Sequence, residues 1–283
     1  MAIDTTPPPG TAAQRTSADR QSQFVRNIRT IGTVAFRELI RLRRMPTRVV
    51  SGLAQPILFL LVLGAGLQHL VGKHGISGVS YQEYIFPGVL AMSVITSALF
   101  SAIAIVWDRE FGFMREMLVA PVSRGALVLG KTVGGGSVAV AQGTILIVLA
   151  PFVGVHLTVL NVLGLFGVLV LLAFAMTALG IVLASRMRRM ESFQMVMALV
   201  LQPMIFLSGA IFPLKRLPGW LGLPCRLNPA TYGVDLARRA LLGQDLALTI
   251  GHHVVPIWAD IAIVLAMGSL LIALATRFFG QVE

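Results

Sequence analysis

LNVLGLFGVLVLLAFAMTALGIVLA, residues 160–184, contains no charged side chain from end to end. A hydrocarbon core about 30 Å thick is crossed by roughly 20 apolar residues in α-helix. Inside lipid every backbone N–H and C=O needs a partner within the chain, and a helix supplies all of them. The same pattern recurs at roughly 49–70, 84–106, 132–155, 193–212 and 256–277. Six spans joined by short linkers predict an all-α, multi-pass membrane protein.

Composition agrees. Of 283 residues, 56% are hydrophobic and 12% charged, against about 25% charged in an ordinary soluble domain. A net charge of +11 would suggest nucleic acid in a soluble protein, but here the cations are sorted by side. With the N-terminus inside, 17 Lys and Arg fall on the cytoplasmic side and 6 on the outer side. That asymmetry predicts both termini in the cytoplasm and no nucleic-acid partner. His69, His74, His156, His252 and His253 all fall on outer linkers. Their spacing matches no ligand pattern, so no metal site is expected. The single cysteine, Cys225, excludes an intramolecular disulfide and a thiolate cluster.

Residues 1–23, with PPPG and TAAQRTSADRQSQ, read as a disordered tail. No apolar core occurs early enough for a cleaved secretory signal. Residues 24–283 are expected to form one membrane domain. From Phe24 to Met45 the apolar side chains Phe24, Ile28, Ile31, Val34, Ala35, Leu39, Leu42 and Met45 share one helical arc. Arg26, Arg29, Arg37, Arg41 and Arg44 project from the other side. This predicts an amphipathic helix in the membrane plane, apolar face among the acyl chains, ended by Pro46.

The outer linker at about 213–255 is too long for a turn. Asn228 is placed to cap a helix with Pro229 at its first position, and Gly243 to end it. Val234, Ala237 and Leu241 share one face of that helix, with Arg238 and Arg239 elsewhere, while Trp220 and Tyr232 suit the headgroup zone. The linker is expected to form short re-entrant helices on or in the outer leaflet.

Residues 125–132, GALVLGKT, match the phosphate-loop pattern G-x-x-x-x-G-K-[ST]. The loop works only between a strand and a helix of an α/β domain, and here it leads into a membrane span. Lys131 is better read as an interfacial lysine snorkelling at the cytoplasmic end of the third span. In the same linker Phe111, Met114 and Leu118 line one face of a short helix, with Arg115 and Glu116 turned outward and Pro121 ending it. An apolar stripe flanked by charge suits docking into a partner's groove.

EFGFMREMLVAPVSRGALVLGK, residues 110–131, resembles the coupling region of ABC type-2 export permeases. Glu110, Leu118, Pro121, Ser123, Arg124 and Lys131 fill the family's E…L-x-x-P-x-S-R…K places. FLSGAIFPLKRLPGWLGLPCRLNPATYGVDLARRALLG, residues 206–243, is similar to its outer signature, L-S-G-x-x-F-P-x-x-x-L-P-x-W ending in N-P-x-T-Y-x-V-D-x-x-R. Leu207, Ser208, Gly209, Phe212, Pro213, Leu217, Pro218, Trp220, Asn228, Pro229, Thr231, Tyr232, Val234, Asp235 and Arg238 match it. The closest flavour is the drug-export branch, similar to daunorubicin-type resistance permeases, and nodulation-factor and polysaccharide exporters share both signatures. The resemblance implies a bacterial plasma-membrane location and a homodimer or a heterodimer with a sister permease. It also implies a separate cytoplasmic ABC ATPase, which would bind the ATP and Mg that this chain does not. Glu110, Phe111, Met114, Arg115, Glu116, Leu118, Pro121 and Arg124 would then transmit ATPase closure to the spans.

Within the spans, Gln55, Gln142, Gln202 and Ser208 are costly in lipid and should face a partner helix or a passageway. Asp260, about a turn inside the sixth span, is expected to pair with an outer-leaflet arginine. Gly134–Gly136 fit close helix packing or a hinge. No carboxylate ladder crosses the bilayer, so proton coupling is not expected. The function expected is therefore the membrane-spanning, non-enzymatic half of an exporter of an amphipathic drug, lipid or lipid-linked glycan. An intramembrane enzyme acting on lipid-linked substrates is the alternative. It would need acids and histidines together, whereas Asp108, Glu110 and Glu116 lie on the side opposite every histidine. A channel would want a repeated polar lining that the spans lack.

Overall fold

A computed structural model describes residues 11–44, 46–71, 80–112, 123–211, 219–243, 249–250 and 253–279. The chain is helical almost throughout: α1 (Thr11–Arg44), α2 (Pro46–Val71), α3 (Tyr81–Ser101), α4 (Ile103–Glu110), α5 (Arg124–Leu149), α6 (Val159–Ser185), α7 (Met190–Leu207), α8 (Gly219–Leu227), α9 (Pro229–Leu242) and α10 (Ile257–Phe279). Two-residue strands β1 (Thr249–Ile250) and β2 (His253–Val254) pair antiparallel between α9 and α10.

Helix starts follow local chemistry. Ser80 and Glu83 form a reciprocal capping box at α3, each side chain accepting from the other's backbone N–H at 3.3 Å. Ser123 caps α5 and Thr158 caps α6. Asn228 caps α9, Pro229 follows at its first position and Gly243, with φ of +82°, closes it, all as the sequence predicts.

Five segments among the described residues are long and apolar enough to cross a membrane: Tyr81–Glu110, Arg124–Val153, Val159–Ser185, Met190–Leu207 and Ile257–Phe278, with mean hydropathy from 1.5 to 2.6. The span expected at 49–70 falls on α2, continuous through Pro56, of which Val50–Val62 is the apolar part. α6, the charge-free stretch, is the central pillar, packed against α3, α5, α9 and α10. Leu165, Leu169, Leu172, Ala173, Met176 and Ile181 fill the interior around it.

Lipid gives helices little reason to associate by hydrophobicity alone, so close approach of small residues takes over. α5 supplies that approach. Gly130 lies against Ile31 and Val34 of α1, and Gly134 against Ala35 and Glu38. Gly135 meets Ser101 and Thr177, and Gly143 meets Val94 and Leu169. Gly134–Gly136 sit in an unbroken helix with neighbours pressed on all three. Their role here is close packing, not a hinge.

The N-terminal helix differs from expectation. The N-terminal helix begins at Thr11, so helix also covers 11–23, read from sequence as a disordered tail. Ala12, Ala13, Gln14 and Arg15 are all good helix formers, and residues 1–10 lie outside the described ones. Its Ile31–Ala35 face packs on α5 instead of lying wholly among acyl chains, while Ile28, Phe36 and Leu39 stay exposed. Further on, α9 is buried within the bundle. Every residue from Pro229 to Arg239 is buried, against α3, α6 and α10.

Gly88 of α3 tests this packing. A Cβ there would collide with the backbone carbonyl of Ala210, which has no free rotation to yield. Gly88→Ala should destabilise the protein by about 1–3 kcal/mol, read as a lowered Tm in detergent. Gly167→Ala, with nothing within 4 Å, should leave the Tm unchanged.

Candidate functional site

Three consecutive charged residues close α4, and each holds a different helix. Asp108 accepts from the Lys131 ammonium of α5 at 2.6 Å, with Arg37 of α1 at 3.9 Å from the same oxygen. Arg109 donates to the carbonyls of Ser185 and Met187, at 2.9 and 2.8 Å, where α6 ends. The Glu110 carboxylate accepts from the Met190 N–H at 3.1 Å, where α7 begins. Helix ends leave backbone groups without internal partners, and these side chains satisfy them across the bundle. Phe111 follows, exposed, its ring 5.7 Å from that of Trp107.

This node settles the phosphate-loop match. Gly125–Thr132 are the first turns of α5, so their N–H groups point along a helix and not into a cradle. Lys131 is 6% exposed. It is therefore a buried ion-pair partner, not the snorkelling lysine expected, because Asp108 offers a nearer counter-charge than the headgroups do.

At the other end the two halves of the outer signature bond to each other. α7 finishes at Leu207, and Gly209 turns the chain with φ of +76°, a conformation suited to glycine. From α9 and its cap, the Asn228 amide donates to the Met204 carbonyl at 2.7 Å and Thr231 to that of Leu207 at 3.2 Å. Arg238 donates to the Gly209 carbonyl at 2.7 Å, its guanidinium 5.1 Å from the centre of the Tyr84 ring. Ser208 donates to Ile205 and accepts from Ala210, and Tyr232 donates to Arg226. Arg239 pairs with Asp235 at 2.6 Å and reaches Asp260 of α10 at 3.4 Å. The arginine partner expected for Asp260 is thus Arg239. Both are buried, which is how α9 can lie within the bundle with two arginines: its charges are compensated there.

Between these ends, α1, α2, α3 and α5 enclose an open cavity of about 390 Å³. Ser51, Gln55, Ser93, Thr96, Ser97 and Gln142 supply its polar wall. The Gln142 amide crosses to Gly52 on α2, where any Cβ would meet it.

The model of one protein family, ABC-2 type transporter, matches residues 29–242. The chain belongs to that family. It is similar to nodulation protein J of Rhizobium leguminosarum bv. viciae, 31% identical over 201 residues that make up 70% of this chain and 76% of that protein. It is similar also to the putative transport permease ycf38 of Cyanophora paradoxa, 30% identical over 204 residues, 71% of this chain and 70% of that one. Nodulation protein J of Rhizobium meliloti (strain 1021) is 31% identical over 208 residues, 73% and 78% of the two chains. This protein is a multi-pass membrane permease of the ABC-2 type.

The fold distributes the permease's expected site residues unevenly. Of the coupling set, Glu110 joins the node, Phe111 lies beside it, and Arg124 opens α5. Met114, Arg115, Glu116, Leu118 and Pro121 lie outside the described residues. In the outer set, Ser208, Gly209, Asn228, Tyr232, Asp235 and Arg238 converge, with Pro229 starting α9. Pro213 lies outside the described residues, as does the side chain of Trp220, whose backbone is in α8. Gln55 and Gln142 meet at the cavity, whereas Gln202 is exposed on α7 and Ser208 is bonded locally. Sequence reasoning missed Ser93, Thr96 and Ser97 as cavity residues. Their i, i+3, i+4 spacing was the available signal, masked by the high hydropathy around them.

Lys131→Met should lower stability by about 3–5 kcal/mol by leaving Asp108 without its close partner. Asp108→Asn combined with Lys131→Met should recover part of that loss. Nucleotide binding by the isolated permease should stay at background in every variant. A drop on Lys131→Met in measurable ATP binding, by equilibrium dialysis, would revive the phosphate loop.

Proposed function

We propose that this permease is the membrane-spanning subunit of an ATP-driven exporter of an amphipathic molecule, a drug, lipid or lipid-linked glycan. Fuel comes from a separate cytoplasmic ABC ATPase, which holds the ATP and Mg. In this reading α2 is the first of six crossings, both termini face the cytoplasm, and α8 and α9 form the re-entrant outer element. Two copies, or this chain and a sister permease, pair in the bilayer. Family membership and relatives named as transport permeases support the permease class. The relatives reported above are named for nodulation and for transport at large, so the drug-export branch rests on the signature resemblance alone.

The node at Asp108–Glu110 carries the coupling proposal. The segment that resembles a coupling region begins at Glu110 and ends at Lys131, and both residues belong to the node. A push on the intervening segment therefore bears on the ends of α5, α6 and α7 together. That geometry suits conversion of ATPase closure into a tilt of several spans, with buried pairs giving two discrete arrangements rather than a continuous strain.

Reconstituted with its ATPase, the permease carrying Glu110→Ala with Arg115→Ala should lose stimulated ATP hydrolysis, to the rate of the ATPase alone, while remaining inserted. Undiminished stimulation would overturn the coupling assignment. ATP hydrolysis or cargo movement by the purified subunit alone would overturn the whole reading.

A further inference from the structure

Asp260, in the first turn of α10, is 0% exposed, and among the described residues neither of its oxygens accepts a hydrogen bond from an N–H or O–H. Buried polar atoms are nearly always satisfied. An ionised carboxylate buried without hydrogen bonds is costly enough that it takes up a proton instead. Its ion-pair partner, Arg239, is already engaged. One guanidinium nitrogen, Nη2, lies 2.6 Å from Asp235 and 3.4 Å from Asp260. The two carboxyl groups crowd around that nitrogen and are in hydrogen-bonding contact with each other. Ionised carboxylates only accept hydrogen bonds, so one of a touching pair donates only when it carries a proton.

The other charged and titratable groups on the surrounding helices have their own occupations. On α9, Arg238 donates to the Gly209 carbonyl, stands over the Tyr84 ring of α3 and couples electrostatically to Asp235. Tyr232 couples electrostatically to Asp260 but gives its hydroxyl proton to the carbonyl of Arg226, an exposed residue in the last turn of α8. On α3, besides Tyr81, Glu83 is held by Ser80 and His156. α6 carries no titratable side chain. Arg124 and Lys131 of α5 and Glu191 of α7 lie in the first turns of their helices, by the node, and Arg277 is in the last turn of α10. Two acids and two arginines thus meet here, with one arginine facing a carbonyl and a ring and the other facing both acids.

We propose that Asp235 and Asp260 bind one proton between them at neutral pH, and that this proton holds α10 against α9. One such site is not a relay across the bilayer, and it stands apart from the export reading, since nothing in it depends on an ATPase or a cargo. Infrared spectroscopy of the purified permease in detergent at neutral pH tests it, because the carbonyl stretch of a protonated carboxylic acid is separate from the bands of carboxylates. The wild type should show such a band. It should be lost in Asp260→Asn and equally in Asp235→Asn, because either change leaves the remaining acid with Arg239 to itself. Asp108→Asn should keep it, since Asp108 is paired with Lys131. A wild-type protein without the band overturns the proposal however the variants fold, and a band that survives Asp235→Asn overturns the sharing. Thermal unfolding gives a second reading. Asparagine mimics the protonated acid, so Asp260→Asn should leave the Tm at neutral pH unchanged, whereas loss of an ionised partner of Arg239 would lower it. From about pH 6 to about pH 9 the wild-type Tm should fall relative to that of Asp260→Asn, since the folded state holds a proton that the unfolded chain gives up. A lowered Tm of Asp260→Asn at neutral pH, or a difference between the two proteins that does not change with pH, would overturn the proposal.

Discussion

Asp108, Arg109 and Glu110 hold one end of the bundle through four bonds to three helices, and the rest of the architecture depends on them. An ammonium, two carbonyls and an N–H, belonging to α5, α6 and α7, converge on a single turn of chain. Each would otherwise be a helix end or a buried cation seeking a partner where water is scarce. Satisfying all three from consecutive residues means that α4 cannot shift without disturbing three helices. This is the property a mechanical linkage requires.

The opposite end solves the same problem with different residues. There the carbonyls released where α7 stops are taken up by Asn228, Thr231 and Arg238 of α9. The two halves of the outer signature are in space one hydrogen-bonded clamp. Charges that would exclude α9 from a bilayer are compensated among Asp235, Arg239 and Asp260. Between the two polar ends the helices touch through glycine: Gly134 and Gly143 of α5, Gly180 of α6 against Leu99, and Gly88 of α3 against Ala210. The interior is close-packed where backbones meet, and the ion pairs among the described residues lie toward its ends.

A bundle clamped at both ends and open at one flank has an evident place for a guest. The cavity beside α2 is that opening, and its described lining residues are uncharged, in contrast to the ion pairs toward the two ends. The node lies at the end of the α3–α4 segment that also carries Ser93 and Phe100.

Hydropathy and capping chemistry sufficed to read the helices, five membrane-length spans among the described residues and the capping of α9, because each depends on residues close in sequence. The helix N-cap at Asn228 and its end at Gly243 are local chemistry, and so is the amphipathic stripe of α1. The family likewise was legible, since its signatures are contiguous strings. What the tertiary structure alone decided is where polar groups go once helices meet. Lys131 reads as an exposed interfacial lysine until Asp108, 23 positions earlier, is brought to its side. Arg238 and Arg239 read only as residues off the apolar face of their helix until α9 is placed among α3, α6 and α10. Four polar span residues looked equivalent, and packing sent Gln55 and Gln142 to one cavity, Gln202 to the surface and Ser208 into a turn. The partner of a charge in low dielectric is chosen by proximity in space, and proximity between helices is not written at any single position of the chain.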